Sequence, residues 1–586
     1  MSLRLAAVAV ALLSATASAQ SPAAPLKAGA TVSGRLAARD TARFTVALRD
    51  TTFLLGSIAQ PDEPLAVRLL APGGRLRARF EGPGVGALRF SAFSSDTGTM
   101  VVEVTSPSGR AAGYALTLLR QEPLARDPAR RADQLLARYD APGMPGGEVR
   151  VWRAGRVLYS KGFGMADLRH GIPYRDDTPT NLGSTSKQFT AFAVLLQAER
   201  GKLSLDDDIR KHLPELPYLG DTVRVRHLIT HQSGLREFLN LLTMTDRQIG
   251  EDRIDRKELL EIVQRQPRLQ NVPGTEFNYN NTAFGLAALI VERTSGKTFP
   301  DYLRDEVFVP LGMTRTLSRA DPATIVPNAA MGYMARPAGF AEAGDLGGAL
   351  GAGGVYTTVG DLQRWAETML SPTPRVGSRK IFEAMTTNST LNDGKKSEYG
   401  MGVFVDEQRG LKRIQHGGAD VAHRSMLALY PAINAGVSVQ SNNAGFASNV
   451  AFEIASAFFD DAMRAATANT PVAAPATAAA TGGESQATRR ENTPAFAPTG
   501  AALAAYAGRY WSEELETFMT IVQRGDTLLL RQRRHEDAPL KAANRAETFE
   551  GRTLTLTFER DRNGEVIGFY AANGRTRDVR FARVRP

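Results

Sequence analysis

The 586-residue sequence predicts a multidomain fold. A central α/β domain, an antiparallel sheet flanked by helices, stands between an N-terminal β-sandwich and a small C-terminal antiparallel β domain. Three observations lead there. Short runs of alternating apolar and polar residues, separated by turn residues, fill both ends of the chain. Helical patterns, two of them almost wholly apolar, occupy the middle. Strand patterns bracket those helices on both sides, so the two sets must pair into one sheet. The chain is also too long for a single hydrophobic core.

The first residues, "MSLRLAAVAVALLSATASAQ", have the layout of a secretory leader. Arg4 supplies the positive start, Leu5 to Leu13 the apolar run, and Ala17-Ser18-Ala19 a small-residue cleavage point after Ala19. A membrane anchor is the competing reading, but the run falls far short of the ~20 residues a span needs. Export to the periplasm or beyond is therefore expected, with no stable membrane span. The chain has no cysteine, which excludes disulfides, thiolate catalysis and a lipid on a leader cysteine. An exported protein without disulfides must rely on core packing.

Residues 26–120 read as the sandwich, in runs such as "ARFTVAL", "TFLLGSI" and "TMVVEVTSPSG". Attachment to a wall or glycan and a folding or spacing role are both compatible with it. The central domain is expected over 130–464. It starts with a polar helix up to Arg138, followed by the hairpin "EVRVWR"–"RVLYSKGFG" about Ala154-Gly155. Helices dominate from Ser184 to about Val309. Strands return at "YGMGVFVDE", "KRIQHGG", "RSMLALYP" and "AGVSVQSN", and the apolar helix "NVAFEIASAFFDDAM" closes the domain. Residues 465–499 are rich in Ala, Thr and Pro and read as a linker. Residues 500–586 alternate again around Gly-Asp and Asn-Gly turns, as a small barrel or sandwich would.

Composition excludes some functions. Hydrophobic residues make up 43% and charged residues 23%, as in soluble globular proteins. The net charge of +10 could favour an acidic surface, but it is spread without a long basic run and reads as a solvated surface. Nothing resembles a nucleic-acid module.

Chemistry concentrates in three stretches. "GSTSKQFTAFAVLLQAERG" puts Ser184 and Lys187 at the start of a helix that is apolar nearly all round and so belongs in the interior. Helix N-termini favour developing negative charge. Lys187, three residues on, projects from the same side as Ser184. A buried lysine needs partners or a lowered pKa, and a lowered pKa makes it a usable base. A capping serine with a solvent-facing lysine fits poorly with a helix that has no polar face. In "GTEFNYNNTAFGLAALIVERTSG", Tyr279, Asn280 and Asn281 precede a second apolar helix. Taken singly, Asn281 reads as an N-cap and Tyr279 as a core aromatic. In "RIQHGGADVAHRSMLALYP", His416 sits on a strand followed by Gly417 and Gly418, glycines that mark close approach by another group.

Together, the ordered motifs Ser184-Thr-Ser-Lys187, Tyr279-Asn-Asn281 and His416-Gly-Gly418 resemble the serine β-lactamase and penicillin-binding-protein superfamily. The similarity is to its branch of class C β-lactamases, DD-peptidases, D-aminopeptidases and esterases. It covers about Arg131 to Asp461, with supporting stretches "HLITHQSGL", "PLGMTRT" and "GAGGVYTTVGDLQRW". The C-terminal β domain also resembles one attached to such hydrolases, and the N-terminal one resembles sandwiches appended to secreted bacterial peptidases.

The resemblance implies a β-lactamase/transpeptidase-like fold and an acyl-enzyme on Ser184. Lys187 and Tyr279 would share removal of its proton. Asn281 would hold the substrate amide or the Lys187 ammonium, and His416, Gly417 and Gly418 would line the substrate. The backbone N–H groups of Ser184 and Ala419 would form the oxyanion hole. The implied substrate is a small molecule or peptide, peptidoglycan-derived ones included, with no cofactor.

His416 stands where β-lactamases usually carry lysine, which makes it a weaker, pH-dependent anchor for a carboxylate and favours peptidase, aminopeptidase or esterase activity over efficient β-lactam hydrolysis. The stretch from Arg236, "REFLNLLTMTDRQIGEDRIDRKELLEIVQRQ", is expected to wall the site. His227 and His231 lie four apart but lack the further ligands of a zinc site. The Gly-x-Ser-x-Gly elbow of α/β-hydrolases is absent. The alternative function is a penicillin-binding or sensor protein that acylates without turnover.

Overall fold

The computed structural model describes residues 23–468 and 496–585, apart from positions 83, 85, 338 and 497. The leader with its Ala19 cleavage point and most of the expected 465–499 linker, residues 469–495, lie outside the described residues; the first four linker positions, 465–468, instead end the helix Asp460–Ala468. The chain divides into two compact units, one running through Leu124 together with Arg336–Gly339, the other holding the rest.

In the first unit, alternation places every second side chain inward. Phe44, Val46 and Leu48 are the buried members of the strand Thr41–Leu48. Five strands form one sheet, in the order Ala24–Pro25, Thr41–Leu48, Gly98–Thr105, Ala66–Leu70, Leu76–Glu81. Four form the other, in the order Thr31–Leu36, Ala112–Pro123, Thr52–Gln60, Gly86–Ser94. Phe44 and Val102 from the first sheet share a core with Leu54, Ile58 and Leu116 from the second, which makes the unit a sandwich.

The second unit opens on the helix Pro128–Leu136, whose N-cap Asp127 accepts a hydrogen bond from Arg130 N with Pro128 in the first turn. Its main sheet is antiparallel and six-stranded, in the order Arg156–Phe163, Gly147–Arg153, Ala435–Ser441, Arg424–Tyr430, Leu411–Ala419, Phe404–Gln408. The two ends of the domain meet where Gly147 pairs with Ser441 and Arg153 with Ala435, the closure that the bracketing strands required. The first hairpin turns on Ala154 and Gly155, whose φ values of 50° and 78° are those of a type I′ turn.

Against the strands Leu411–Ala419 and Arg424–Tyr430 of this sheet lies a 3₁₀ turn over Gly183–Ser186, which leads into the helix Lys187–Glu199. Every residue from Lys187 to Gln197 is buried, as expected for a helix with no polar face. Phe189 and Phe192 pack on Trp365, which belongs to a helix, Val359–Leu370, that extends the helical layer beyond the expected limit at Val309. The closing apolar segment is two helices, Val450–Phe458 and Asp460–Ala468, rather than one. No helix of the described residues is long and apolar enough to cross a membrane.

Between the sandwich and barrel readings of the C-terminal domain, the structure selects the barrel. Eight strands from Gly508–Ser512 to Thr576–Val584 close on each other, the first pairing with the last. Their inward aromatic side chains fill the interior, Phe569 and Phe581 stacking at 5.0 Å. The barrel belongs to the same compact unit and the same hydrophobic core as the central domain. Arg236 is one of several polar links between them. Its guanidinium donates to the carbonyls of Arg577 and Asp578 on the barrel and Arg268 on the central domain, and pairs with Glu514 at 3.4 Å. Both members of that pair are almost fully buried.

Two consequences can be checked. Removing one partner of a buried ion pair costs about 3 kcal/mol or more. Arg236→Met should therefore speed hydrogen exchange across residues 566–584 while leaving the six-stranded sheet protected. At Gly418, a Cβ would fall 1.8 Å from the carbonyl oxygen of Leu182, so the strand can lie against the loop before Ser184 only without a side chain. Gly418→Ala should lower stability by about 2–3 kcal/mol, read as a lower thermal midpoint.

Candidate active site

The loop before Ser184 is held from both sides. Asn181 accepts from Gly183 N at 2.8 Å and donates to Asp420 at 2.7 Å. Thr185 donates to the carbonyl of His416 at 3.0 Å, and Ser425 donates to that of Leu182 at 2.6 Å. Gly183 has a φ of 51°, and a Cβ there would approach Ala419 N to 2.8 Å, so the backbones of the loop and of the strand end are in close contact. That brings the two expected oxyanion donors, Ser184 N and Ala419 N, to one edge of the sheet. Ser184 is the partly exposed position in an otherwise buried run. It lines a cleft with about 450 Å³ of empty volume, bordered also by Leu239, Asn281, Asp345 and Ala419. Leu239 comes from the stretch beginning at Arg236 that was expected to wall the site.

Lys187 has no exposed surface, yet its Nζ reaches three oxygens: Ser184 Oγ at 3.0 Å, Asn281 Oδ1 at 2.7 Å and the Ala352 carbonyl at 2.9 Å. Asn281 and Ala352 present only acceptors here, so a neutral amine gives its two protons to them and turns its lone pair toward the Ser184 hydroxyl. Burial lowers its pKa well below the ordinary lysine value, and the positive charge of Arg575 adds to the effect.

Tyr279 hydrogen-bonds to Ser184 and has its phenol pushed up, chiefly by desolvation. Its ring lies 4.7 Å from Lys187 Nζ and 4.1 Å from the His231 ring. The helix that follows is capped by Asn280, whose side chain accepts from Ala283 N, and not by Asn281. The cap one residue earlier frees Asn281, the first helical residue, to face Lys187.

The two histidines four apart serve separate backbone tasks. His227 Nδ1 accepts from Arg224 N at 3.1 Å, and His231 Nδ1 accepts from Asn280 N at 2.9 Å. Among the described residues no cluster of His, Asp or Glu is arranged to hold a metal.

His416 is buried and spoken for on both nitrogens. Its Nδ1–H donates to the Gly417 carbonyl at 2.7 Å, which leaves Nε2 to accept from the Tyr399 hydroxyl at 3.2 Å. Burial, with Lys187 nearby, lowers its pKa to about 3. The ring therefore stays neutral throughout the neutral pH range, where its position in the motif led us to expect a titrating anchor. The missing influence was enclosure by Tyr399, Phe404 and Tyr279.

Several site residues carry no motif. Asp420 has its carboxyl raised to about 7 by burial and by the charge of Asp345. Asp345 pairs with Arg319 at 3.0 Å and accepts from the Tyr356 hydroxyl. Asp420 directly follows Ala419 and could have been flagged by that adjacency. Arg575, on the turn between the last two barrel strands, sets its guanidinium carbon 4.6 Å from the centre of the Tyr279 ring. No local pattern links positions 279 and 575.

The β-lactamase family model matches residues 132–459, more than half of the chain. A D-aminopeptidase of Brucella anthropi is 31% identical over 47% of this chain and 52% of its own length. A D-aminopeptidase of Gluconobacter oxydans (strain 621H) is 30% identical over the same shares. Penicillin-binding protein 4* of Bacillus subtilis (strain 168) is 27% identical over 48% of this chain and 65% of its own. The match thus spans about half the length of the two D-aminopeptidases. Among solved structures, the octameric penicillin-binding protein homologue from Pyrococcus abyssi superposes with a TM-score of 0.50 at 23% identity. It covers 75% of this chain and 96% of that one, a likeness of fold. With more than half of its length matched, and with Ser184, Asn281 and the residue after the third motif, Ala419, lining one cleft, the chain belongs to the β-lactamase family, in the class C-like serine-hydrolase branch of the β-lactamase and penicillin-binding-protein superfamily.

Proposed function

We propose that this protein is an exported serine hydrolase that cleaves an amide or ester through an acyl-enzyme on Ser184. The observation that carries the reading is the enclosed Lys187 Nζ, 3.0 Å from Ser184 Oγ and anchored on Asn281 and Ala352. A binding protein has no need of a buried amine aimed at a hydroxyl.

Burial favours the neutral form of both Lys187 and Tyr279, which supports a division of labour. As Ser184 Oγ bonds to the substrate carbonyl carbon, its proton passes to Lys187. The oxyanion is received by the N–H groups of Ser184 and Ala419, each such donor being worth about 3 kcal/mol. When the carbonyl-to-leaving-group bond breaks, Tyr279 protonates the departing nitrogen or oxygen and regains a proton from the Lys187 ammonium. Both groups end neutral. Water then gives a proton to Lys187, attacks the acyl carbon and returns Ser184 to its hydroxyl form. The pair titrates as a unit.

The two D-aminopeptidases among the relatives favour an amide substrate, as in D-aminopeptidase or DD-carboxypeptidase chemistry, with esters and weak β-lactam hydrolysis alongside. The penicillin-binding relative favours a second reading, acylation without release. Intact-mass measurement with p-nitrophenyl butyrate and, separately, a fluorescent penicillin separates the two. Turnover of the ester that disappears in Ser184→Ala supports the hydrolase. A lasting penicillin adduct on Ser184 with no ester turnover supports the second reading. Lys187→Ala should lower kcat/KM by about 10³, the middle of the range for a lost general base.

The pH dependence follows from the same groups. Lys187 accepts a proton only when neutral. With its pKa lowered, kcat/KM should rise with pH through that lowered value instead of the ordinary lysine range. His416, with a pKa of about 3, should add no inflection near the ordinary histidine value of about 6.5. A pH–rate profile of His416→Gln that keeps the wild-type limbs would agree. Loss of an inflection in that variant would show that His416 titrates in the working range.

A further inference from the structure

We infer that Arg575, carried by the C-terminal barrel, is a specificity-determining residue that holds a carboxylate on the leaving group of the substrate. The inference rests on the proposed acyl-enzyme chemistry and names its substrate class.

Arg575 occupies the turn between the barrel strands Val566–Asn573 and Thr576–Val584. The turn is fastened to the central domain at Asn573, Arg575 and Thr576. The Arg575 carbonyl accepts from Gln270 at 3.0 Å and from Asn278 at 2.9 Å. Thr576 Oγ1 accepts from Glu237 N at 3.0 Å, and Asn573 donates to Thr243. The backbone is thereby held, while the guanidinium rests on the Tyr279 ring at 4.6 Å. Of the adjacent charges, Arg577 pairs with Glu276, while the buried Glu237 accepts from Asn240 N through one oxygen and makes no ion pair among the described residues. Arg575 is exposed, and among the described residues its guanidinium has no carboxylate partner.

A fixed guanidinium with unused N–H donors suits a planar carboxylate, which it can bind through two parallel hydrogen bonds. Among the described residues the other cations at the site are already engaged: Arg319 lines the cleft but pairs with Asp345 and donates to the Pro322 carbonyl. Lys187 is turned to Ser184, Asn281 and Ala352, and His416 is neutral and engaged. Position indicates which end of the substrate it meets. Tyr279 is the group that protonates the leaving atom, so a cation on its ring lies beside the leaving group. The acids Asp345 and Asp420 line the cleft with Ser184. The implied substrates are acyl donors whose departing amine or alcohol bears a free carboxylate, as the last residue of a peptide does.

The test uses the full-length chain and two matched esters, 3-carboxyphenyl butyrate and its methyl ester, which differ in one negative charge. The measured quantity is the ratio of kcat/KM for acid over methyl ester. Arg575→Ala should lower the ratio about tenfold or more, mainly through KM, since a charge-assisted hydrogen bond is at stake. Arg575→Lys should recover part of it, and Arg575→Glu should invert the preference. All three leave the backbone anchors to Gln270 and Asn278 in place. Ser184-dependent turnover with the same ratio in wild type and all variants would overturn this inference alone. Turnover that survives Ser184→Ala would overturn the acyl-enzyme reading and this inference with it.

Discussion

The burial of one amine organises the central domain. Lys187 begins a helix whose first eleven positions are enclosed, so its Nζ cannot reach water. A charged amine in such a place is expensive unless it finds partners, and the structure supplies three oxygens from three parts of the chain. Ser184 comes from the turn before the helix, Asn281 from the start of the second apolar helix, and Ala352 from the loop ahead of the strand Val355–Thr357. Satisfying this one atom therefore fixes how those three segments meet. The lowered pKa that results is the property the proposed chemistry uses.

The second constraint is the packing of the barrel on the central domain. Its last hairpin lies against residues 236–243 and 270–278. These flank the site directly. Leu239 lines the cleft, and Thr282 ties the two segments by donating to Arg236 O and accepting from Phe238 N. A contact made by the barrel is thus passed by hydrogen bonds to the residue next to Asn281. The C-terminal domain, which composition suggested was tethered by a linker, is part of the structure that holds the site.

Much of the site was legible because the physics behind it is local. An apolar helix with a lysine in its first turn already demands a buried, partnered amine. Paired glycines after His416 already demand close approach, and the Leu182 carbonyl proves to be the group that approaches Gly418. The hairpin at Ala154-Gly155 and the pairing of the two strand sets followed from turn chemistry and from edges that must be covered. Capping was legible only to within a residue. Asn280 and Asn281 have the same capping ability, and the choice was made by contacts from elsewhere: His231 accepting from Asn280 N, and Lys187 claiming the Asn281 side chain.

The sequence by itself determined the domain order, the α/β class of the centre, and three motifs whose residue types suit acyl transfer. These depend on periodicity, turn residues and short spacings, interactions between positions close in the chain. Only the tertiary structure decided that His416 is neutral and enclosed, that Asp345 and Asp420 face the cleft, and that Arg575 reaches Tyr279. Each of those depends on desolvation or charge from segments far apart in the chain. Nothing at position 575 itself encodes its neighbour at 279. The barrel must close and pack before the two meet.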